Sequence, residues 1–246
     1  MSDTGTAHSR PVWRAALDRV WVLLVAGGLT GLVVVGIGGR LAMLLLRLTS
    51  EQNVRGVLSD DGFVIGRVTL SGTYNLCAVG AGLGVVAAAV YTWVAPWLMG
   101  PTWFRRVTCA LGAGAVIGGI LVNGDGVDFT RLEPTWLAIA LFVAIPAAFG
   151  GLVGIAVDRA RLVAARPGNG RSRAVVAALV GLSMVPFLVI LVPISVVVLA
   201  WTTLRGNAPL DEMTDMAPLV LFIRAAWLLA ALAGARELVL DVQALT

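Results

Sequence analysis

The chain has 246 residues, of which 59% are hydrophobic and only 13% are charged, and its mean hydropathy is +0.92. A soluble domain carries about 25% charged residues, so this composition excludes a water-soluble globular protein and requires a lipid bilayer as the solvent. The positive charges are 18 arginines with no lysine, and the formal net charge is +4. Because these arginines are spread between apolar segments, they indicate attraction to anionic lipids rather than to nucleic acid.

Six apolar segments are long enough to cross a bilayer, which takes about 20 helical residues. They lie at 20–47, 72–98, 106–123, 135–157, 174–201 and 217–238. The first segment runs on without a small-residue cleavage site, so we interpret it as a membrane helix and not as a cleaved signal peptide. The sequence predicts an all-α bundle of six transmembrane helices in one membrane domain, 13–246, after a disordered tail, 1–12.

A small β-hairpin is predicted in the loop between the first two helices. Two runs that favour β-strands, 53–58 and 63–68, flank the turn residues Ser-Asp-Asp-Gly at 59–62. That spacing suits a hairpin closed by a glycine bulge. We expect it to lie on the outer surface of the membrane.

Small residues recur four apart in four of the predicted spans. The pairs are Gly27 and Gly31, Gly80 and Gly84, Gly114 and Gly118, and Gly150 and Gly154. Glycine at this spacing lets helices approach closely in lipid. The pattern therefore predicts a tightly packed bundle, although glycine is abundant in such helices in any case.

The distribution of arginine predicts the orientation in the membrane. With the N-terminus inside, the cytoplasmic side receives the N-terminal arginines, Arg105, Arg106 and the basic linker at 158–173, whereas the outer loops hold most of the acids. The sequence thus predicts a multi-pass protein of the cytoplasmic membrane with both termini in the cytoplasm. Anionic lipids are the expected partners of the cytoplasmic arginines.

The sequence contains no residues with the spacing of a known catalytic or metal-binding motif. The only histidine, His8, lies in the tail, so no nucleophile has a histidine base within a span. Cys77 and Cys109 lie in apolar segments without metal-ligand spacing, and we interpret them as small buried hydrophobic residues. No catalytic residue, metal or cofactor is predicted, and a non-enzymatic protein is favoured.

Charged residues within the membrane form the candidate site. Arg40 lies two-thirds along the first span and Arg224 about two turns into the sixth, and an arginine at the centre of a helix costs roughly 2.5–3.5 kcal/mol on insertion scales. The predicted topology brings both to one outer polar cluster, whose other members are Tyr74, Asn75, Asn123, Asp125, Asp128 and Arg131. The cluster is either a structural clasp between loops and helix ends or an outward-facing pocket for an anionic group.

Two motifs, SDDGFVIGRVTLSGT at 59–73 and DGVDFTRLEP at 125–134, resemble those of a group of uncharacterised actinobacterial multi-pass membrane proteins. The resemblance covers most of the first four spans and fades after residue 160. It implies a membrane protein but no activity.

Three classes of function therefore stay open. They are a non-enzymatic protein that packs with a membrane protein partner or a second copy of itself, a small transporter or channel around Arg40 and Arg224, and a lipid-modifying enzyme that uses outer carboxylates.

Overall fold

A computed structural model describes residues 12–50, 69–123, 129, 133–165, 175, 178 and 217–245. The described residues form five long helices. Helix α1 comprises Val12–Gly31 and Gly38–Thr49, joined by a π-helical turn at Leu32–Ile37, and α2 is Leu70–Val94, followed by a 3₁₀ turn at Ala95–Trp97. Helix α3 is Thr102–Leu121, α4 is Thr135–Ala165 and α5 is Ala217–Leu245. Five of the six predicted apolar segments thus form helices in the described chain, since a helix satisfies its own backbone in lipid.

The prediction of six helices with a β-hairpin is wrong. The described residues hold five long helices and no strand, and four of those helices are long and apolar enough to cross a membrane. The hairpin residues, 53–68, lie outside the described part of the chain. Of the predicted span at 174–201 the structure describes only Val175 and Ala178, both helical and exposed. The predicted tail, 1–12, is described only from Val12 onward.

Helices α1 and α2 cross in contact through glycine. A Cβ atom added to Gly27 would collide with the Gly84 carbonyl, and one added to Gly31 would collide with the Gly80 carbonyl. The π turn continues this contact, because Gly36 follows Gly31 by five residues and its added Cβ would lie 2.8 Å from the Cα of Cys77. Two of the four predicted glycine pairs therefore form a single helix–helix contact, as close packing in lipid requires.

Helices α3 and α4 pack through Gly114, Gly118 and Gly150, whereas Gly154 lies against Tyr91 on α2. A Cβ added to Gly118 would lie 2.9 Å from Val143, and one added to Gly150 would lie 2.6 Å from the Cys109 carbonyl. Pro146 is buried within the same contact region, and α4 continues through it as one helix. The predicted tight packing is confirmed in the described part of the bundle.

Helix α5 packs along α3 and runs parallel to it. Trp227 lies against Gly112, and Gly234 lies against Gly119 one heptad further along both helices. The ends of the bundle follow from these pairings. We call the end with the Ala95–Trp97 turn the Trp97 end, and the end where Leu46, Val122 and Ala138 are buried together the Leu46 end.

The two ends of the described chain lie at opposite ends of the bundle. Helix α1 is antiparallel to α2, so Val12 belongs to the Trp97 end. Leu238 and Leu245, in the last turns of α5, pack against the buried cluster at the Leu46 end. Ala165 and Ala217, which end α4 and begin α5, both lie at the Trp97 end.

Candidate functional site

The Leu46 end holds most of the described members of the predicted polar cluster. Gly39 packs against Leu76, so the next residue, Arg40, lies at the level of Tyr74 and Asn75 in the first turns of α2. Arg40 is half-buried, whereas Tyr74 and Asn75 are exposed. Asn123 follows the last turn of α3 at the same end and is exposed. Arg40 and Asn123 each have an interaction partner.

Three predicted members of the cluster, Asp125, Asp128 and Arg131, lie outside the described residues. The structure therefore places Arg40, Tyr74, Asn75 and Asn123 at one end of the bundle and does not test the predicted arginine–carboxylate pairs. The predicted roles of these residues in binding stay predictions.

Arg224 does not join this cluster. Its Nε donates a hydrogen bond of 2.9 Å to the backbone carbonyl of Trp97. Since Arg40 lies level with Leu76, and Trp97 follows Leu76 by about six helical turns, the two arginines are roughly 30 Å apart by helical rise. The sequence interpretation assumed that the last helix enters from the outer side, and α5 runs in the opposite direction.

A clasp does tie helix ends together at the Leu46 end, through residues that sequence reasoning missed. Ser50, which ends α1, accepts a hydrogen bond of 3.1 Å from the Glu133 backbone N–H just before α4. Its hydroxyl also lies within hydrogen-bond distance of the carbonyls of Leu46, at 2.7 Å, and Glu133, at 3.0 Å. One hydroxyl has a single proton, so these two carbonyls share it.

Phe129 anchors the same end of the bundle from within the acidic loop. Its side chain is only 2% exposed and packs with Leu46, Val122 and Ala138. It also meets Phe142 edge to face, with ring centroids 5.0 Å apart. The available signal was one aromatic residue in a run of charged and small residues.

At the Trp97 end, two arginines from different helices bind one short turn. Arg224 on α5 holds the Trp97 carbonyl, and Arg105 on α3 donates through Nη1 to the Ala95 carbonyl at 3.5 Å. Long side chains of a helix point toward its N-terminus, which brings Arg224 from its backbone position to the end of the bundle. The 3₁₀ turn thus joins α3 and α5 to the end of α2.

Around this turn the described arginines differ in whether a carboxylate neutralises them. Arg106 pairs with Asp158 at 3.2 Å, and both side chains are partly exposed, so the pair contributes little to stability. Neither Arg105 nor Arg224 has a carboxylate within 4 Å in the described chain. Arg159 and Arg161 add exposed positive charge to the same end of α4. Among the described residues, arginines therefore outnumber acidic residues at the Trp97 end.

Buried donors without acceptors also gather here. The indole Nε1 of Trp97 and the Nε atoms of Arg105 and Arg106 are buried and have no hydrogen-bond partner in the described structure. Trp97 itself is 98% buried. A buried donor without an acceptor costs about 1–3 kcal/mol, so a group that accepts hydrogen bonds from these donors would stabilise the described part of this end.

Among the described residues no group of three or more His, Cys, Asp or Glu side chains has the geometry of a metal site. The fold and composition define the class: this is a membrane protein, with four helices long and apolar enough to span a bilayer. No family model, curated protein or solved structure matches the chain. The resemblance to the actinobacterial group accordingly stays a prediction.

Proposed function

We propose that the chain is a non-enzymatic membrane protein that binds another transmembrane helix, either in a different membrane protein or in a second copy of itself. The observation that carries this proposal is the outward side of α5. One side of that helix packs on α3 through Trp227 and Gly234. Beside this contact a row of small exposed residues, Ala226, Ala230 and Ala233, is spaced four and three apart.

This row has the spacing by which helices approach one another in lipid. Within the described bundle the same use of small residues brings α1 close to α2, at Gly27 and Gly84, and α3 close to α5, at Gly119 and Gly234. Large exposed side chains, Phe222 and Leu229, lie beside the row and provide the flanking apolar contact. A partner helix that packs against α5 would meet a surface built like the contacts inside the bundle.

The alternative, a transporter or channel with one outward pocket around Arg40 and Arg224, has less support. It needs both guanidinium groups at one binding site, and the two lie roughly 30 Å apart by helical rise. The crossing points between the helices are occupied by glycine backbones in direct contact. No observation at either end favours a solute path.

The orientation forms part of the proposal. The Trp97 end holds Arg19, Arg105, Arg106, Arg159 and Arg161 of the described residues, and arginine favours the cytoplasmic face of the inner membrane. We therefore place the N-terminus in the cytoplasm. The prediction that the C-terminus is cytoplasmic as well requires that the chain cross the membrane an even number of times. The packing of α5 favours an odd number, with Leu245 on the outer side.

Site-specific photo-crosslinking in native membranes tests the proposed contact. A photoreactive residue at Ala230 is expected to give a discrete protein adduct, and one at Ile120, which is 71% exposed on α3, is expected to give none. Replacing Ala226 and Ala233 with leucine should abolish the adduct, because the larger side chains hold the partner helix away. The absence of any protein adduct at Ala230, or an adduct that survives the leucine substitutions, would refute the proposal.

A further inference from the structure

We infer that Arg105 and Arg224 form a binding site for a phosphate group, carried by a lipid headgroup or free in solution, beside the Ala95–Trp97 turn. This inference is independent of the contact proposed for α5, which lies on the opposite side of that helix. It rests on four properties of the Trp97 end: the anchoring of the two guanidinium groups, their remaining donors, their unbalanced charge and the adjacent start of α3.

The backbone carbonyls of the turn orient both guanidinium groups. Arg224 uses its Nε on the Trp97 carbonyl, and Arg105 uses Nη1 on the Ala95 carbonyl. A guanidinium has five N–H donors, and each arginine uses only one of them on a described residue. Neither terminal nitrogen of Arg224 bonds to a described residue, and the two form the planar fork that binds two oxygens of a phosphate together.

The charge at the turn favours an anion. Two guanidinium groups bind carbonyls only two residues apart, and neither has a carboxylate partner in the described chain. Like charges that are partly buried repel each other more strongly than in water. A phosphate group between them would remove this repulsion and would supply oxygens to an end of the bundle where buried donors have no acceptor.

The start of α3 adds to the positive potential. Pro101 precedes the first turn of that helix and provides no side-chain cap for its free backbone N–H groups. Uncapped N–H groups and the helix dipole together favour an anion at a helix N-terminus. Arg105 lies in this first turn, so the amides and its guanidinium are on the same helix end.

The depth of the turn suits a phospholipid headgroup as well as a dissolved anion. Trp103 and Phe104 at the start of α3 are exposed apolar residues next to the arginines, as at a membrane–water interface. A phospholipid would place its chains along such residues and its phosphate at the guanidinium groups, whereas free phosphate would use the guanidinium groups alone.

The test measures ligand-induced changes in the melting temperature of the full-length protein in a neutral detergent. Three probes are titrated: short-chain phosphatidylglycerol, the matching diacylglycerol without phosphate, and inorganic phosphate. Phosphatidylglycerol is expected to raise the melting temperature, and diacylglycerol is not. A rise with inorganic phosphate as well would identify a soluble anion as the source, and a rise with the lipid alone would identify a headgroup.

Matched variants locate the site. The double variant Arg105→Gln and Arg224→Gln should bind the effective probe at least about ten-fold more weakly, because it loses charge-assisted hydrogen bonds. The control, Arg159→Gln and Arg161→Gln, removes the same charge from exposed positions at the same end and should bind as the wild type does. If the double variant does not fold, Arg224→Lys keeps the charge but loses the fork, and Arg161→Lys is its control.

Three outcomes would overturn the inference. They are equal stabilisation by diacylglycerol and phosphatidylglycerol, no stabilisation by either phosphate-containing probe, and equal weakening in the site variants and their controls.

Discussion

The adjacent glycines of α4 give the sharpest test of how the bundle is held together. A Cβ added to Gly150 would lie 2.6 Å from the Cys109 carbonyl and 2.7 Å from the Cβ of Ala113. A Cβ added to Gly151 would lie 3.5 Å from the Cβ of Ala110, which is an ordinary contact. Gly150→Ala therefore forces α3 and α4 apart, and Gly151→Ala does not.

The expected size of the effect follows from two terms. Both substitutions replace glycine with alanine inside one helix and gain about 1 kcal/mol of helix propensity, which cancels between them. The remaining difference is the cost of overpacking a close contact, about 1–3 kcal/mol. With roughly 2–4 °C per kcal/mol for a chain of this length, Gly150→Ala should melt roughly 2–12 °C below Gly151→Ala.

The assay heats each purified variant in the same detergent and measures how much monodisperse protein remains. Thiol labelling is unsuitable because Cys109 lies at the altered contact and would report the local change. Melting of Gly150→Ala at or above the temperature of Gly151→Ala would refute the close α3–α4 contact.

Three further predictions follow from the ends of the bundle. Phe129→Ala should lower the free energy of unfolding by about 3–5 kcal/mol, because a buried ring leaves a cavity; Phe222→Ala, at a residue 70% exposed, is the control for the melting measurement. Ser50→Ala should speed hydrogen exchange at the Glu133 amide, which loses its acceptor. Thr49→Ala should not, because the Thr49 hydroxyl bonds only within its own helix. Compartment-specific reporters fused to the two termini should indicate opposite sides of the membrane.

Each of these predictions has a result that contradicts it. Equal melting of the two phenylalanine variants would mean that Phe129 does not pack as described. Unchanged exchange at Glu133 in Ser50→Ala would remove the clasp between α1 and α4. Two termini on the cytoplasmic side would restore the topology predicted from arginine counting and would contradict the direction of α5.

The described helices were predictable because one requirement dominates in lipid: the backbone must form its own hydrogen bonds. A run such as 135–157 must satisfy its backbone internally, and it lies within α4, Thr135–Ala165. The glycine pairs were predictable for the same reason, since close approach in lipid needs small residues. Gly36 was not, because it joins the contact only through a π turn, which shifts the spacing from four residues to five.

The candidate site was predictable only in part, because depth in the membrane depends on direction. Arg40 lies in the first helix, where no earlier crossing can be miscounted. Arg224 lies in the last, so its predicted level reversed when the number of preceding crossings changed. The arginines around Trp97 bind backbone carbonyls, and the pattern of side chains in a sequence does not predict which carbonyls are bound.

The π turn of α1 accommodates one extra residue while the helix after it keeps the same face toward α2. Its Gly38 N–H bonds to the Val33 carbonyl five residues back, so the turn contains one residue more than an α-helix would use. If the turn became α-helical with all its residues kept, Gly36 and everything after it would rotate by about 100° relative to Gly27 and Gly31. Arg40 would then point in another direction. Removal of one residue at 32–37 would instead restore the four-residue spacing and leave those directions unchanged.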